Sequence, residues 1–385
     1  MSSEQATASG TGWVTFGHPG AVRLLSRMSE TGRLSHAYLI TGPPQSGKRT
    51  LALDLARAAN CQPAPDLFGD LPPTPCANCV QCNRISRGLH ADVRVIDVDT
   101  PLDDDRDDGG EEDAGPRRKN ISIKHIHTLL RDSALKPFEG TSRVFIIREA
   151  NLMSSEAANS LLKTLEEPAE GVMIILTAPS AASLPVTIVS RCQPVDLRPV
   201  PPAVIEQTLI DRFSAEPESA RTLARLARGR PGWAINALSD PTALDRHTQR
   251  SLRILSVITG SIEERFRYAR DLSSTFGKDR EGVLEELEQW LNWWRDVAMS
   301  RHGLESQVVN VDWLEALGAL GQALDDDAIT AGIGAVTRTR EALEANANPR
   351  LALEVMALDL PAADRSTVPV PSTMSEDAAG LATGE

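Results

Sequence analysis

The sequence predicts an α/β domain built on a mainly parallel sheet, followed by an all-helical remainder. Three observations carry this reading. From about residue 13 to 198, short apolar runs of strand type alternate with patterns of helical spacing. One such run, Ala37-Tyr38-Leu39-Ile40, leads into the glycine loop Gly42-Pro43-Pro44-Gln45-Ser46-Gly47-Lys48, which opens a helical pattern through Leu51, Leu55, Ala56 and Ala59. From about residue 200 onward no run reads as a strand, whereas Leu223, Leu226 and Ala227, and later Val283, Leu284, Leu287, Leu291, Trp294 and Val297, fall at helical spacing.

At 385 residues the chain is too long for one compact core and divides into two or three domains. Residues 1–12 are small and polar and read as a disordered start; residues 362–385, rich in Ser, Pro, Thr and Gly, read as a disordered tail. Pro199, Pro201 and Pro202 mark the break after the α/β part, and a second boundary falls near Ser239 to Thr248. No apolar stretch approaches the ~20 residues of a membrane helix, and Met1-Ser2-Ser3-Glu4-Gln5 lacks the basic-then-apolar order of a secretory signal. A cytoplasmic location without membrane contact is expected. The net charge of −13 argues against a broadly basic, nucleic-acid-gripping surface. Much of it sits in one block within residues 97–118, including Asp103, Asp104, Asp105, Asp107, Asp108, Glu111, Glu112 and Asp113, which reads as a solvated loop.

Strand, glycine loop and helix in succession converge backbone N–H groups and a helix N-terminus on phosphate. The position after the lysine should carry a Ser or Thr hydroxyl for Mg²⁺, and Arg49 stands there. Thr50 is one residue further along, a rotation of about 100° on a helix. The second apolar run, Val144-Phe145-Ile146-Ile147, should end in a metal-binding Asp and ends in Arg148-Glu149. Two fixed cations at these places would repel a divalent ion. Gly42, Gly47, Lys48 and Thr50 are therefore read as a residual phosphate loop, and tight ATP binding by this chain is not expected.

Cys61, Cys76, Cys79 and Cys82 form a C-x14-C-x2-C-x2-C series. In a cytosolic chain such spacing points to metal rather than disulfides, and four thiolates suit structural Zn²⁺ with no open position for catalysis. An iron–sulfur cluster competes, but the Cys-Pro ending of such runs is missing, with Ser86 and Arg87 in its place. Four unrelated buried thiols is the bland alternative.

Ser154 is a plausible N-cap for a helix whose apolar face is Ala158, Leu161, Leu162 and Leu165 and which Pro168 ends. A strand Val172 to Thr177 follows, with Thr177 at its carboxyl end, where open α/β sheets present polar groups to ligands. Pro185 suits the first turn of a short helix that delivers Ser190-Arg191-Cys192. By spacing alone Arg191 is a solvated charge. Cys192 reads as a buried thiol rather than a nucleophile, and the stripe Leu287, Trp290, Leu291 and Trp294 as core.

Taken together, His36 to Pro43, the cysteine insert, Leu161 to Pro168 (LLKTLEEP), Ser190-Arg191-Cys192 (SRC) and Asn346 to Glu354 resemble the clamp-loader branch of the AAA+ proteins, in the order that family uses them. The resemblance implies an AAA+ α/β domain over residues 13–198 with a zinc module at 61–82, a small helical lid at 199–243 and a helical oligomerisation collar at 244–361. Motor subunits of the gamma or tau type resemble GxxxxGK[ST], a strand ending Asp-Glu, and a sensing arginine in the lid. Here Lys48-Arg49, Arg148-Glu149 and Gly232 stand at those places, which fits the non-hydrolysing delta-prime class. The resemblance further implies that Arg191 is a trans arginine finger offered to a neighbour's ATP, an effect worth ~10³ to 10⁵ in rate. It implies gamma/tau and delta subunits as partners, and the sliding clamp and primer–template DNA as partners through the assembled loader in replication. Two other readings stay open: an ATP-hydrolysing motor subunit that uses Thr50 and Glu149, and a noncatalytic zinc-stabilised replication adaptor.

Overall fold

The computed structural model describes residues 12–65, 74–101, 120–345 and 347–369. The acidic block from Asp103 to Asp113, nearly all of the polar start, and residue Asn346 lie outside the described residues. The chain divides into two compact units, Met1–Leu238 and Ser239–Glu385.

In the first unit α1 (Pro19–Glu30) precedes β1 (Ala37–Thr41), and α2 (Lys48–Asn60) follows the glycine loop. Next come α3 (Val80–Ser86), β2 (Val93–Ile96), α4 (Ile123–Ser133), β3 (Arg143–Ile147), α5 (Ser155–Glu166), β4 (Val172–Ala178), α6 (Val186–Val189) and β5 (Gln193–Asp196). The five strands form one parallel sheet in the order β2-β3-β4-β1-β5. β1 thus lies between β4, in the register Ala37 to Ile174, and β5, in the register Tyr38 to Gln193. Both faces of a parallel sheet are covered, so its inner strands are apolar throughout and alternate residues feed two cores. Ala37, Leu39, Phe145, Ile147, Ile174 and Leu176 pack with Ile126 and Leu129 of α4 and Leu161 and Leu165 of α5. Tyr38, Ile40, Val144, Ile146, Met173 and Ile175 pack on the other face with Leu25 of α1 and Leu51 and Leu55 of α2.

Ser154 caps α5 by accepting from the Ala157 N–H. Pro185 stands at the N-cap of α6 rather than inside its first turn. Past β5, Pro201 caps α7 (Pro202–Phe213), and α8 (Pro217–Leu226) and α9 (Pro231–Ser239) complete this part.

The second unit is helical among its described residues: α10 (Ala243–Thr259), α11 (Ile262–Phe276), α12 (Arg280–Arg301), α13 (Leu314–Ala323), α14 (Asp326–Glu344) and α15 (Pro349–Asp359). Its core forms around α12, where Trp290, Trp293 and Trp294 are fully buried. Trp290 Nε1 donates to the Tyr268 hydroxyl at 2.7 Å, and that hydroxyl donates to Glu286 at 3.0 Å. The stretch expected to be tail from residue 362 begins packed: Ala363 N–H donates to the Ile258 carbonyl at 3.1 Å, and Val368 is buried. The polar composition of the segment hid this apolar anchor.

Candidate functional site

The glycine loop is fixed from both ends. Gly42 has φ +148°, and a Cβ there would lie 2.6 Å from the Leu197 carbonyl oxygen, so only glycine lets the chain leave β1 this way. Gly47, at φ +101°, caps α2. Between them Ser46 is buried; its carbonyl oxygen lies 2.8 Å from Nε2 of His18, whose pKa burial holds below the ordinary value. Lys48, the first residue of α2, turns back on the loop: Nζ donates to the Gly42 carbonyl at 2.6 Å and the Pro43 carbonyl at 2.8 Å. Burial pulls its pKa down to about 8, and the charge of Glu149 works the other way.

Arg49 is exposed, and Arg148 donates to Asp97 Oδ2 at 2.9 Å. The two cations expected to confront a metal are thus a solvated side chain and half of an ion pair. The position expected to carry a metal-binding Asp holds Arg148, with the Glu149 carboxylate beside it. Glu149 has φ +49°, and its N–H donates to Thr177 Oγ1 at 3.1 Å. The polar group at the end of β4 therefore braces the end of β3.

Thr50 and Gly47 border a cavity of about 190 Å³ that sequence reasoning missed, together with Trp13, Phe16, Arg212 and Ile235. Its wall is tied down: Thr15 donates through N–H at 2.8 Å and through its hydroxyl at 2.7 Å to Asp54 Oδ2, while Arg57 pairs with Asp54. Arg212 donates to the Val14 carbonyl at 3.0 Å and lies 5.6 Å over the Phe16 ring. On α9, Gly232 N–H donates to the Gln45 carbonyl at 2.8 Å, and a Cβ on Gly232 would stand 2.8 Å from that oxygen. No side chain fits between α9 and the loop. The unmatched aromatic residues near the N-terminus, Trp13 and Phe16, were the available signal for this wall.

The four cysteines of the insert meet, with their sulfur atoms all within 4.8 Å of one another. A tetrahedron of 2.3 Å Zn–S bonds has sulfur separations of about 3.8 Å, so the cluster needs only a small contraction. Backbone N–H groups already donate to the sulfurs: Cys76 to Cys61 at 3.2 Å, Cys79 to Cys76 at 3.3 Å and Cys82 to Cys79 at 3.4 Å. Such donors favour thiolate. Hydrogen bonding from Cys61 brings the Cys82 thiol down to about 5, and the same contact pushes Cys61 well up. This donor set fits a four-coordinate metal ion.

Arg191 lies just past α6 and reaches the end of α5. Its Nη2 pairs with Glu166 of the LLKTLEEP segment, and its Nη1 donates to the Thr187 carbonyl at 2.8 Å and Ser190 Oγ at 3.3 Å. Its Nε is buried without a partner. Sequence reasoning singled out Arg191 and the LLKTLEEP segment separately and missed that Arg191 meets Glu166 of that segment. Cys192 is buried, and burial pushes its thiol up to about 12, which leaves no nucleophile there.

A five-stranded parallel sheet with a glycine loop between the inner strand β1 and the next helix defines a phosphate-loop α/β protein of AAA+ type, here with a helical C-terminal region. Residues 17–201 match the family described as "DNA polymerase III, delta subunit". The chain is 28% identical to the DNA polymerase III subunit delta' of Bacillus subtilis, over 89% of this chain and 95% of that one. It is 28% identical to the B. subtilis subunit tau over 85% of this chain and 57% of that one, and 30% identical to the Escherichia coli subunit tau over 60% and 33%. The solved structure of a gamma-subunit-related protein from Thermotoga maritima aligns with 88% of this chain and 98% of its own at 18% identity, with a TM-score of 0.41. Over most of its length the chain is thus similar to clamp-loader subunits of DNA polymerase III, delta' and tau among them. Among the described residues no helix is long and apolar enough to cross a membrane.

Proposed function

We propose that this chain is a delta-prime-type subunit of the DNA polymerase III clamp loader: a ring member that keeps the shape of a nucleotide site without turning nucleotide over. It would supply Arg191 to ATP held by an adjoining gamma/tau-type subunit. The observation that carries the reading is Lys48, which bonds two carbonyls of its own loop, in a site that has arginine at both positions where Mg²⁺ ligands belong, Arg49 and Arg148. Gly42, Gly47, Lys48 and Thr50 are then a residual phosphate loop serving architecture. The cysteine cluster holds structural Zn²⁺ through Cys61, Cys76, Cys79 and Cys82. Residues 199–243 act as the lid and residues 244–361 as the collar through which delta and gamma/tau subunits assemble; the sliding clamp and primer–template DNA are met by the whole loader in the cytoplasm. The test is reconstitution with delta and motor subunits: Arg191→Ala should leave assembly intact and depress DNA-dependent ATP turnover and clamp loading by an order of magnitude or more. Unchanged turnover would remove Arg191 from the reaction.

A motor-type reading draws on one observation, that Thr50 and Gly47 border the cavity while the charge of Glu149 acts on Lys48. Steady ATP turnover by the isolated chain, lost in Lys48→Ala, would favour it over the first.

A further inference from the structure

We propose that Glu166 is a positioning residue for Arg191, aiming the guanidinium outward for a phosphate on an adjoining subunit; this rests on the arginine-finger reading above. Thr187 and Ser190, which take the two contacts of Nη1, belong to the same short segment as Arg191 and move with it. Glu166 is the contact that refers the guanidinium to a different, rigid element. That element, α5, is capped by Ser154 and held to the sheet by Leu161 and Leu165, which are buried.

Donor arithmetic shows what remains for an outside acceptor. A guanidinium has N–H donors on Nε, Nη1 and Nη2. Nη1 is occupied twice, by Thr187 and Ser190, and Nε is buried. Nη2 meets one oxygen of Glu166 and retains a second N–H. A carboxylate gripping Nε and Nη2 together would close that fork; Glu166 holds Nη2 alone. The side chains of Arg191 and Glu166 are 33% and 49% exposed, so the pair stands at the surface with the remaining donor available. The role follows from direction rather than charge: a hydrogen-bond acceptor at the end of α5 restricts the rotamers of a long side chain before the partner arrives.

The experiment uses the reconstituted loader with clamp and primed DNA, comparing wild type with Glu166→Ala, Glu166→Gln, Arg191→Ala and the double variant Glu166→Ala/Arg191→Ala. Glu166→Ala should lower kcat for ATP by roughly fivefold, near the upper end of what an exposed pair contributes, with KM for ATP and the thermal midpoint unchanged. Glu166→Gln, which keeps an acceptor oxygen, should restore most of the loss, and Glu166→Ala should add nothing in the Arg191→Ala background. Three results would overturn the assignment while sparing the finger: full activity of Glu166→Ala when Arg191→Ala is impaired, faster turnover in Glu166→Ala, or a Glu166→Ala loss that persists without Arg191. An unimpaired Arg191→Ala would refute the finger and this inference together.

Discussion

Lys48 is bonded to Gly42, the residue that begins its own loop, by a 2.6 Å contact from Nζ to the carbonyl oxygen. A phosphate seeking that ammonium must break this bond and the one to Pro43. Titration calorimetry of the isolated chain with ATP and Mg²⁺ should therefore give no binding tighter than the high micromolar range, and Mg²⁺ should improve it little. Submicromolar, Mg²⁺-dependent binding would refute the account of the loop.

The same lysine makes stability depend on alkaline pH. Its folded pKa is lowered from 10.5 to about 8, chiefly by burial, so between those values the unfolded chain binds the additional proton. Stability from this group rises with pH through that window, and the penalty of the buried charge is fully present below it. Denaturant unfolding of wild type and Lys48→Met at several pH values from ~7.5 to ~10 should show the wild type gaining relative to the variant as pH rises. A difference that does not change with pH contradicts this.

Chelation should loosen the insert at residues 61–82 first. Structural zinc sites couple metal binding to folding, so elemental analysis should return one zinc per chain, and Cys79→Ser should reduce it. Limited proteolysis after chelator treatment should cut within the insert, while the parallel sheet stays protected. Zinc-free protein with unaltered protease resistance would rule the metal out.

Gly232→Ala places a methyl 2.8 Å from the Gln45 carbonyl oxygen. The loop or α9 must shift, at a cost of about 1–3 kcal/mol, readable as a lowered midpoint in urea. Gly20, where an added Cβ meets nothing within 4 Å, is the control and should tolerate alanine.

In the helical unit, Trp290→Ala should cost about 3–5 kcal/mol by opening a cavity in a fully buried site. Trp290→Phe should cost less, about 1–3 kcal/mol, because it removes the indole N–H that donates to the Tyr268 hydroxyl. Equal losses for the two variants would mean that the hydrogen bond, rather than the volume, dominates.

Much of this arrangement was legible in the residues. Inner strands β1, β3 and β4 announced themselves because burial on both faces demands unbroken apolar runs. β2 and β5 did not, for they are the sheet edges: β2 alternates Arg94 with apolar neighbours beside the acidic block, and β5 carries Pro194, which only an edge accommodates. Cysteine spacing anticipated the meeting of the four sulfurs. The partners of the charges were beyond reach. Arg148 with Asp97 and Arg191 with Glu166 join segments distant in sequence, and an arginine reads the same whether paired or solvated. Trp293, off the stripe read from sequence, is as buried as Trp290 and Trp294, because helices surround α12 on more than one side.

Gly42 packs against the Leu197 carbonyl, and its N–H donates to the carbonyl of Pro179 at 3.3 Å. These demands come from the way β1 exits the sheet, and they hold whether or not a nucleotide ever visits. A chain with this strand exit has to keep a glycine here merely to fold, whether it hydrolyses ATP or not. Its presence testifies to geometry, and a search for working ATPases keyed to that residue would gather silent ones with them.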